Sequence, residues 1–370
     1  VKTILILTAG YGEGHNTAAR NIAAAIEHLG GKAQVVDPFH LTYGRLNEVI
    51  RKLYIFSINN TPRLWQMFYS MLDENPGTAD QLKKFKRLNR TLGRLIDEVK
   101  PGAVISTYPA YNFVITDLYG KGQAPFHQAT MVTDSISVNA LWYLGYSDRY
   151  YVPNQATADV LCEKGIEPER ITVSGFPVQL DFALPEKRLE PPDLTQNVPE
   201  VLYVVNSGKQ RAPGVVSRLM KKTDWRLTVA VGNDESLKEK ICEIVEPYAG
   251  RATVLGWTRE LPRLMMSHHL IITKAGGATV QEAIAAGCPL LINQVVPGQE
   301  EGNYELIKSN EAGTFASSPE QILERARHCF ANEGAVWQQW RKNLLALGDP
   351  AAALKIAENL MQASAAEPSE

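Results

Sequence analysis

The chain has 370 residues, 45% hydrophobic and 21% charged, with a formal net charge of −2, enough for two soluble globular domains each with its own core. That balance excludes a disordered or collagen-like chain and argues against a general nucleic-acid binder, and no run approaches the roughly 18 apolar residues of a membrane span. Cys162, Cys242, Cys288 and Cys329 form neither a C-x-x-C nor a Cys/His cluster, which argues against disulfides and zinc, and residues 1–8 are too short for a secretory signal, so a cytoplasmic protein is expected.

Residues 3–9 have strand length and apolar content, and they run into Gly10-Tyr11-Gly12-Glu13-Gly14-His15-Asn16-Thr17. Ala19, Ile22, Ile26 and Leu29 then recur at helical spacing up to Gly30-Gly31, a stop signal. His15 is therefore expected at a helix N-terminus, at the carboxyl end of the first strand, where open α/β sheets place their ligands. The helix dipole disfavours an imidazolium there and keeps a neutral ring ready to accept a proton, as a general base must. A histidine that only hydrogen-bonds its own turn is the competing explanation. The G-x-G-x-G spacing, with Asp37 the one acid suitably placed after it, gives a dinucleotide-dependent dehydrogenase little support.

Between residues 53 and 72 lie Tyr54, Ile55, Phe56, Ile58, Leu64, Trp65, Met67, Phe68, Tyr69 and Met71, followed by Lys83, Lys84, Lys86, Arg87, Arg90 and Arg94 with no acid among these basic residues. Aromatic residues beside a basic run suit an anionic membrane surface, so residues 53–94 are expected to attach the protein peripherally to the inner face of a membrane. The same composition also describes a core segment followed by a solvated helix face.

Strand-like runs follow at 103–107, 129–133, 150–153 and 171–174, alternating with helical stretches, and make an α/β domain over residues 1–182 with a largely parallel sheet. Residues 183–200, rich in proline and charge, are a linker. Strands then resume at 201–206, 226–231, 252–255, 270–273 and 289–293, giving a second α/β domain over 201–349. A closing helix is expected at about 350–362, packing back on the first domain, and residues 363–370, small and polar, should be disordered. Both domains carry an apolar strand into a glycine turn and a helix, which suggests two Rossmann-like halves facing one cleft.

The most informative stretch is 274–303. Gly276 and Gly277 stand at a strand-to-helix turn where backbone N–H groups and the positive end of a helix face an anion. Glu282, one turn into that helix, is placed for ribose hydroxyls. Beyond the next strand, Pro297-Gly298-Gln299-Glu300 presents an amide and an acid together, which suits a polyol.

Leu5-Ile6-Leu7-Thr8-Ala9-Gly10-Tyr11-Gly12-Glu13-Gly14-His15, Val132-Thr133-Asp134, Val173-Ser174-Gly175-Phe176-Pro177-Val178, Leu255-Gly256-Trp257, Ile272-Thr273-Lys274-Ala275-Gly276-Gly277 and Pro297-Gly298-Gln299-Glu300-Glu301-Gly302-Asn303 together resemble glycosyltransferase family 28. Within it they resemble the diacylglycerol glycosyltransferases, the monogalactosyldiacylglycerol synthases and bacterial diacylglycerol glucosyltransferases. The resemblance implies a GT-B fold and an inverting transfer of galactose or glucose from UDP-galactose or UDP-glucose to the hydroxyl of diacylglycerol.

His15 resembles the base, with Asp134 orienting it or the acceptor. Gly276, Gly277, Ala278 and Thr279 resemble the phosphate turn, Glu282 the ribose ligand, Gln299 and Glu300 the sugar contacts, and Gly256 and Trp257 the uracil site. Gly14, Ser207, Gly208, Gly232, Lys274 and Asn303 complete the donor contacts that the resemblance implies. The sequence has no D-x-D motif, so no metal or other cofactor is expected. Residues 134–142 lack the histidine that relatives commonly carry between the Thr-Asp pair and a tryptophan. The same architecture also serves UDP-sugar epimerases and hydrolases, and transferases with a non-lipid acceptor.

Overall fold

The computed structural model describes residues 2–44, 86–136, 138–296 and 300–366. They form two units, each built on a six-stranded parallel sheet. The first takes the chain up to Leu180 and again from Asp349, and the second takes Asp181–Val296 and Glu300–Gly348.

In the first unit β1 (Ile4–Leu7), β2 (Ala33–Val36), β3 (Ala103–Ser106), β4 (His127–Met131), β5 (Arg149–Val152) and β6 (Ile171–Val173) lie in the order β2-β1-β3-β4-β5-β6. β1 and β3 are buried at every position. This is why they read as unbroken apolar runs, for helices cover both faces of such a sheet. The chain leaves β1 towards β2 on one side, while β3 lies on the other, so the order reverses between β1 and β3. Ligand crevices form at the carboxyl ends of such a switch point.

The helix Glu13–His28 follows β1 and buries Ala18, Ala19, Ile22, Ala25 and Ile26. The glycine stop holds: Gly30 takes φ of +80°, and Gly31 N–H donates to Ile26 O at 2.8 Å. The C-terminal helix Ala352–Ala365 packs on this helix and on β1, β3 and β4, burying Ala353, Ile356, Ala357 and Leu360. Only a glycine fits beneath its end, because a Cβ on Gly102 would lie 2.0 Å from Ser364 Oγ. The expected disorder from residue 363 is therefore corrected. The helix runs on to Ala365 with Ser364 buried, since small residues suit so close an approach.

In the second unit β7 (Glu200–Val204), β8 (Arg226–Ala230), β9 (Ala252–Leu255), β10 (Leu270–Lys274), β11 (Leu290–Gln294) and β12 (Gly313–Phe315) lie in the order β12-β11-β10-β7-β8-β9. The switch point falls between β7 and β10, which pair with Leu270 opposite Val201 and Ile272 opposite Tyr203. The pairing of β10 with β11 slips by one residue between Thr273 and Lys274, immediately before Gly276. Residues 183–200 lie along this unit, where Arg188 Nη1 donates to Ala285 O at 3.1 Å and Pro192 O meets His269 Nε2 at 2.7 Å. The long helical segment Pro319–Leu347 is broken at residues 331–334, where Asn332, Glu333 and Gly334 take positive φ.

Candidate active site

At the switch point of the first unit His15 is the third residue of its helix, whose N-cap is an extended Gly12. Its Nδ1 lies 2.8 Å from Thr107 O, just past β3, and 2.8 Å from Thr133 Oγ1, just past β4. A carbonyl oxygen can only accept, so Nδ1 carries the hydrogen and Nε2 presents a lone pair. The Thr107 hydroxyl donates in turn to His15 O at 3.0 Å, so one residue holds both the ring and the backbone of the histidine.

Burial holds His15 below the ordinary imidazole value, opposed by the nearby Asp134 charge and the Thr107 carbonyl. Burial thus acts in the same direction as the helix dipole, towards the neutral ring. Asp134 is itself pushed up by burial, against the pull of His15 and of Trp142 Nε1, which donates to Asp134 Oδ2 at 2.7 Å. The Trp142 indole is fully buried, 6.0 Å from the His15 ring between centroids. This arrangement can take a proton on Nε2 and hold the resulting imidazolium beside a carboxylate. Gly14 lies on the first turn of the same helix.

The switch point of the second unit gathers most of the expected donor ligands. Gly276 is the extended N-cap of the helix Gly277–Ala286 and offers no side chain to the first N–H groups, which leaves Gly277, Ala278 and Thr279 facing outward from the carboxyl end of β10. Ser207 and Gly208 follow β7 beside them. Gly208 takes φ of +62°, open to glycine, and the Ser207 hydroxyl is buried without a hydrogen-bond partner among the described residues. Arg211 reaches over this loop, donating to Ser317 O at 2.9 Å and Gln294 Oε1 at 3.4 Å, and Lys209 pairs with Asp234 at 2.7 Å. Gly232 and Gly256 come together after β8 and β9, with Gly232 O 3.5 Å from where a Cβ on Gly256 would stand. Trp257 beside them is 62% exposed, with the Arg259 guanidinium 5.6 Å from its ring centroid.

Glu282 is 8% exposed on the first helix turns, not a solvated surface acid. Glu300, only 6% exposed, accepts from Lys274 Nζ at 2.5 Å and from Val296 N at 3.0 Å. Its carboxylate thus staples the start of the helix Glu301–Ser309 to β10, in addition to whatever lone pairs it offers a ligand. Asn303 donates from Nδ2 to Ala275 O at 3.1 Å and so braces the glycine turn from beneath. Gln299 and residues 53–85 of the expected membrane segment lie outside the described residues.

Sequence reasoning passed over Thr107, Thr133 and Trp142 as neighbours of the candidate base and its aspartate. Thr107 acts through its backbone carbonyl, which no side-chain pattern marks. Thr133 and Trp142 stood in or beside the quoted Thr-Asp motif, but Thr133 meets the His15 ring and Trp142 the Asp134 carboxylate only once the chain is folded.

Residues 15–178 match the family model of monogalactosyldiacylglycerol (MGDG) synthase. The chain is 25% identical over 354 residues to a processive diacylglycerol β-glucosyltransferase of Bacillus licheniformis, covering 94% of this chain and 91% of that protein. To the enzyme of the same name from Bacillus subtilis it is 26% identical over 349 residues, covering 93% and 90%. Among solved structures it is similar to Acinetobacter baumannii MurG, with a TM-score of 0.62 at 12% identity over 98% of this chain and all of that one. The S. aureus MnaA–UDP complex gives a TM-score of 0.61 at 14% identity over the whole of both chains. At these identities the structures speak to fold alone, and it is the GT-B fold. The chain is thus similar to the monogalactosyldiacylglycerol synthase family over residues 15–178, and over most of its length to the processive diacylglycerol β-glucosyltransferases.

Proposed function

We propose that the protein transfers a hexose, glucose or galactose, from a UDP-sugar to the hydroxyl of diacylglycerol, inverting an α-linked donor to a β-glycoside. The observation that carries this reading is the tautomer of His15, fixed by the Thr107 carbonyl with Nε2 left as the acceptor. The acceptor hydroxyl gives its proton to Nε2 while its oxygen bonds to the anomeric carbon. The bond from that carbon to the UDP oxygen breaks, and the electron pair leaves with UDP. N–H groups at Gly277, Ala278 and Thr279 offset the charge of the departing diphosphate. Ser207, Gly208, Gly232, Gly256, Trp257, Lys274, Glu282, Gln299, Glu300 and Asn303 complete the donor site in this reading.

Diacylglycerol stays in a bilayer, so the enzyme works at its surface, on the cytoplasmic side where UDP-sugars are found. Arg87, Arg90 and Arg94 support that reading, since they lie exposed along one face of the helix Lys86–Val99 while Leu88, Leu92 and Ile96 bury the other. None of the three is ion-paired among the described residues, and each basic group near an anionic surface contributes about 1 kcal/mol. No helix among the described residues is long and apolar enough to cross a membrane.

The test is product analysis with a panel of UDP-sugars and lipid acceptors in anionic and neutral vesicles. The expected result is UDP-hexose consumption only with diacylglycerol, a β-linked product, and vesicle binding that weakens with salt. UDP-sugar turnover without any acceptor would instead favour an epimerase or hydrolase, whose fold the chain shares.

A further inference from the structure

We infer that Trp142 is a positioning residue for the reaction, holding the Asp134 carboxylate by its indole N–H so that Asp134 stands as the counter-charge to His15 when that ring takes the acceptor proton. The inference deepens the proposed transferase and rests on it for its kinetic arm only.

The geometry is a three-member chain inside the first unit. Trp142 Nε1 donates to Asp134 Oδ2 at 2.7 Å, within the range of a charge-assisted bond. The indole is held from every side. It lies at 0% exposure within the core of Val132, Tyr150, Val152 and Leu161, and Asn112 Nδ2 donates to its backbone carbonyl at 2.8 Å. The short turn Ala140–Trp142 is capped by Asn139, whose Oδ1 accepts from Leu141 N at 3.0 Å. A tryptophan nitrogen is a donor only, so the bond has one possible direction and favours the ionised carboxylate.

Around the pair, His15 faces Asp134 and, edge to face at 5.2 Å, the Tyr108 ring, while Asp134 faces His15 and the indole. Burial pushes Asp134 towards its neutral form, and the His15 ring and the Trp142 indole oppose that. The tryptophan therefore does what a second donor to the aspartate does in other acid-base chains. It keeps a buried carboxylate charged, and a charged carboxylate favours the imidazolium that forms as the acceptor is deprotonated.

Trp142→Phe keeps an aromatic ring in the core and removes the donor, together with the volume of the indole's second ring. The expected result is a fall in kcat of about tenfold or more, a KM for UDP-sugar that does not move, and an acid limb of kcat/KM shifted to higher pH, because Asp134 now protonates more readily. Trp142→Phe on the Asp134→Asn background should then lose nothing further, since a residue that acts through Asp134 has nothing left to act on. Additive losses in that cycle, or a drop in kcat with an unmoved pH limb, would overturn the inference and leave Trp142 a packing residue.

If Trp142→Phe does not fold, protein that keeps Trp142 decides. In 15N-tryptophan-labelled protein one indole N–H resonance should titrate with the His15 ring and move on Asp134→Asn. A set of indole resonances that are all indifferent to both refutes the coupling. That arm reads the chain of contacts whatever the acceptor is, so its failure is distinct from a failure of the transferase assay.

Discussion

In the proposed mechanism His15 concentrates the chemistry in one nitrogen. Replacing it with alanine removes the proton acceptor and should lower turnover by roughly 10²–10⁴-fold while UDP still binds, since general base catalysis contributes on that order. Isothermal calorimetry with UDP beside a transfer assay checks both halves. The pH dependence has a definite sign. His15 sits below its ordinary value of about 6.5 and must be neutral to act, so kcat/KM should be level above that pH and fall only below it. A limb centred above neutrality would mean that another group is the base. Much of this residue was legible from the glycine turn that presents it. What fixes its tautomer was not, because the Thr107 contribution is a main-chain oxygen brought across 92 residues by the pairing of β1 with β3. Glu300 teaches the reverse lesson, for its type and place were readable, but its ion pair with Lys274 depends on the end of β10 lying beside the start of the helix Glu301–Ser309.

Single histidines also tie whole elements together. His269 is fully buried at the start of β10, and its Nδ1 accepts from Glu200 N at 2.9 Å while Nε2–H donates to Pro192 O at 2.7 Å. Trp337 Nε1, on the far side of the helix break, donates to His269 O at 2.6 Å. One residue thus joins the linker, the start of β7 and the last helix of the second unit. His269→Ala leaves a buried N–H and a carbonyl unpaired and opens a cavity, and should cost about 2–4 kcal/mol in urea unfolding. Burial lowers both His269 and its neighbour His268 below their unfolded value. The unfolded chain therefore binds more protons as pH falls through about 6.5, so their stabilisation is complete above that pH and declines below it. Melting temperatures that rise from pH 5 to pH 7.5 in the wild type, and rise less in His269→Ala, are the expected pattern. At this scale the central strands were readable, since burial on both faces makes them apolar throughout. The edge strand β12 was not, with three residues beginning at Gly313, and β2 left little trace because its middle two residues are exposed. Residues 183–200 were readable as a break in periodicity, though their place in the second unit and their hold on His269, made through a carbonyl, were not.

The order of the chain and the order of the units differ, for the second unit is complete by Gly348 and the last helix returns to the first. Its sequence pattern announced a helix, and its partner could only be guessed, since an apolar stripe names no destination. The consequence is that a C-terminal deletion injures the half farthest away in sequence. Ending the chain at Gly348 strips Ile356, Leu360 and two fully buried alanines from the faces of the helix Glu13–His28 and of β1, β3 and β4. Burial of each large aliphatic side chain is worth about 1.5–3 kcal/mol, a large share of the roughly 5–15 kcal/mol that holds a domain folded. His15, on the very helix left uncovered, should then lose its contacts with Thr107 and Thr133, and transfer should disappear. The second unit keeps its own core around Val201, Tyr203, Leu227, Val229, Leu270, Ile272 and Leu291, so UDP affinity should stay within a few-fold of the full chain. Limited proteolysis of the truncated protein should leave a resistant fragment beginning near Asp181, and UDP titration of that fragment checks the rest. A truncated protein that still glycosylates diacylglycerol would show that the first unit holds its catalytic turn without the returning helix.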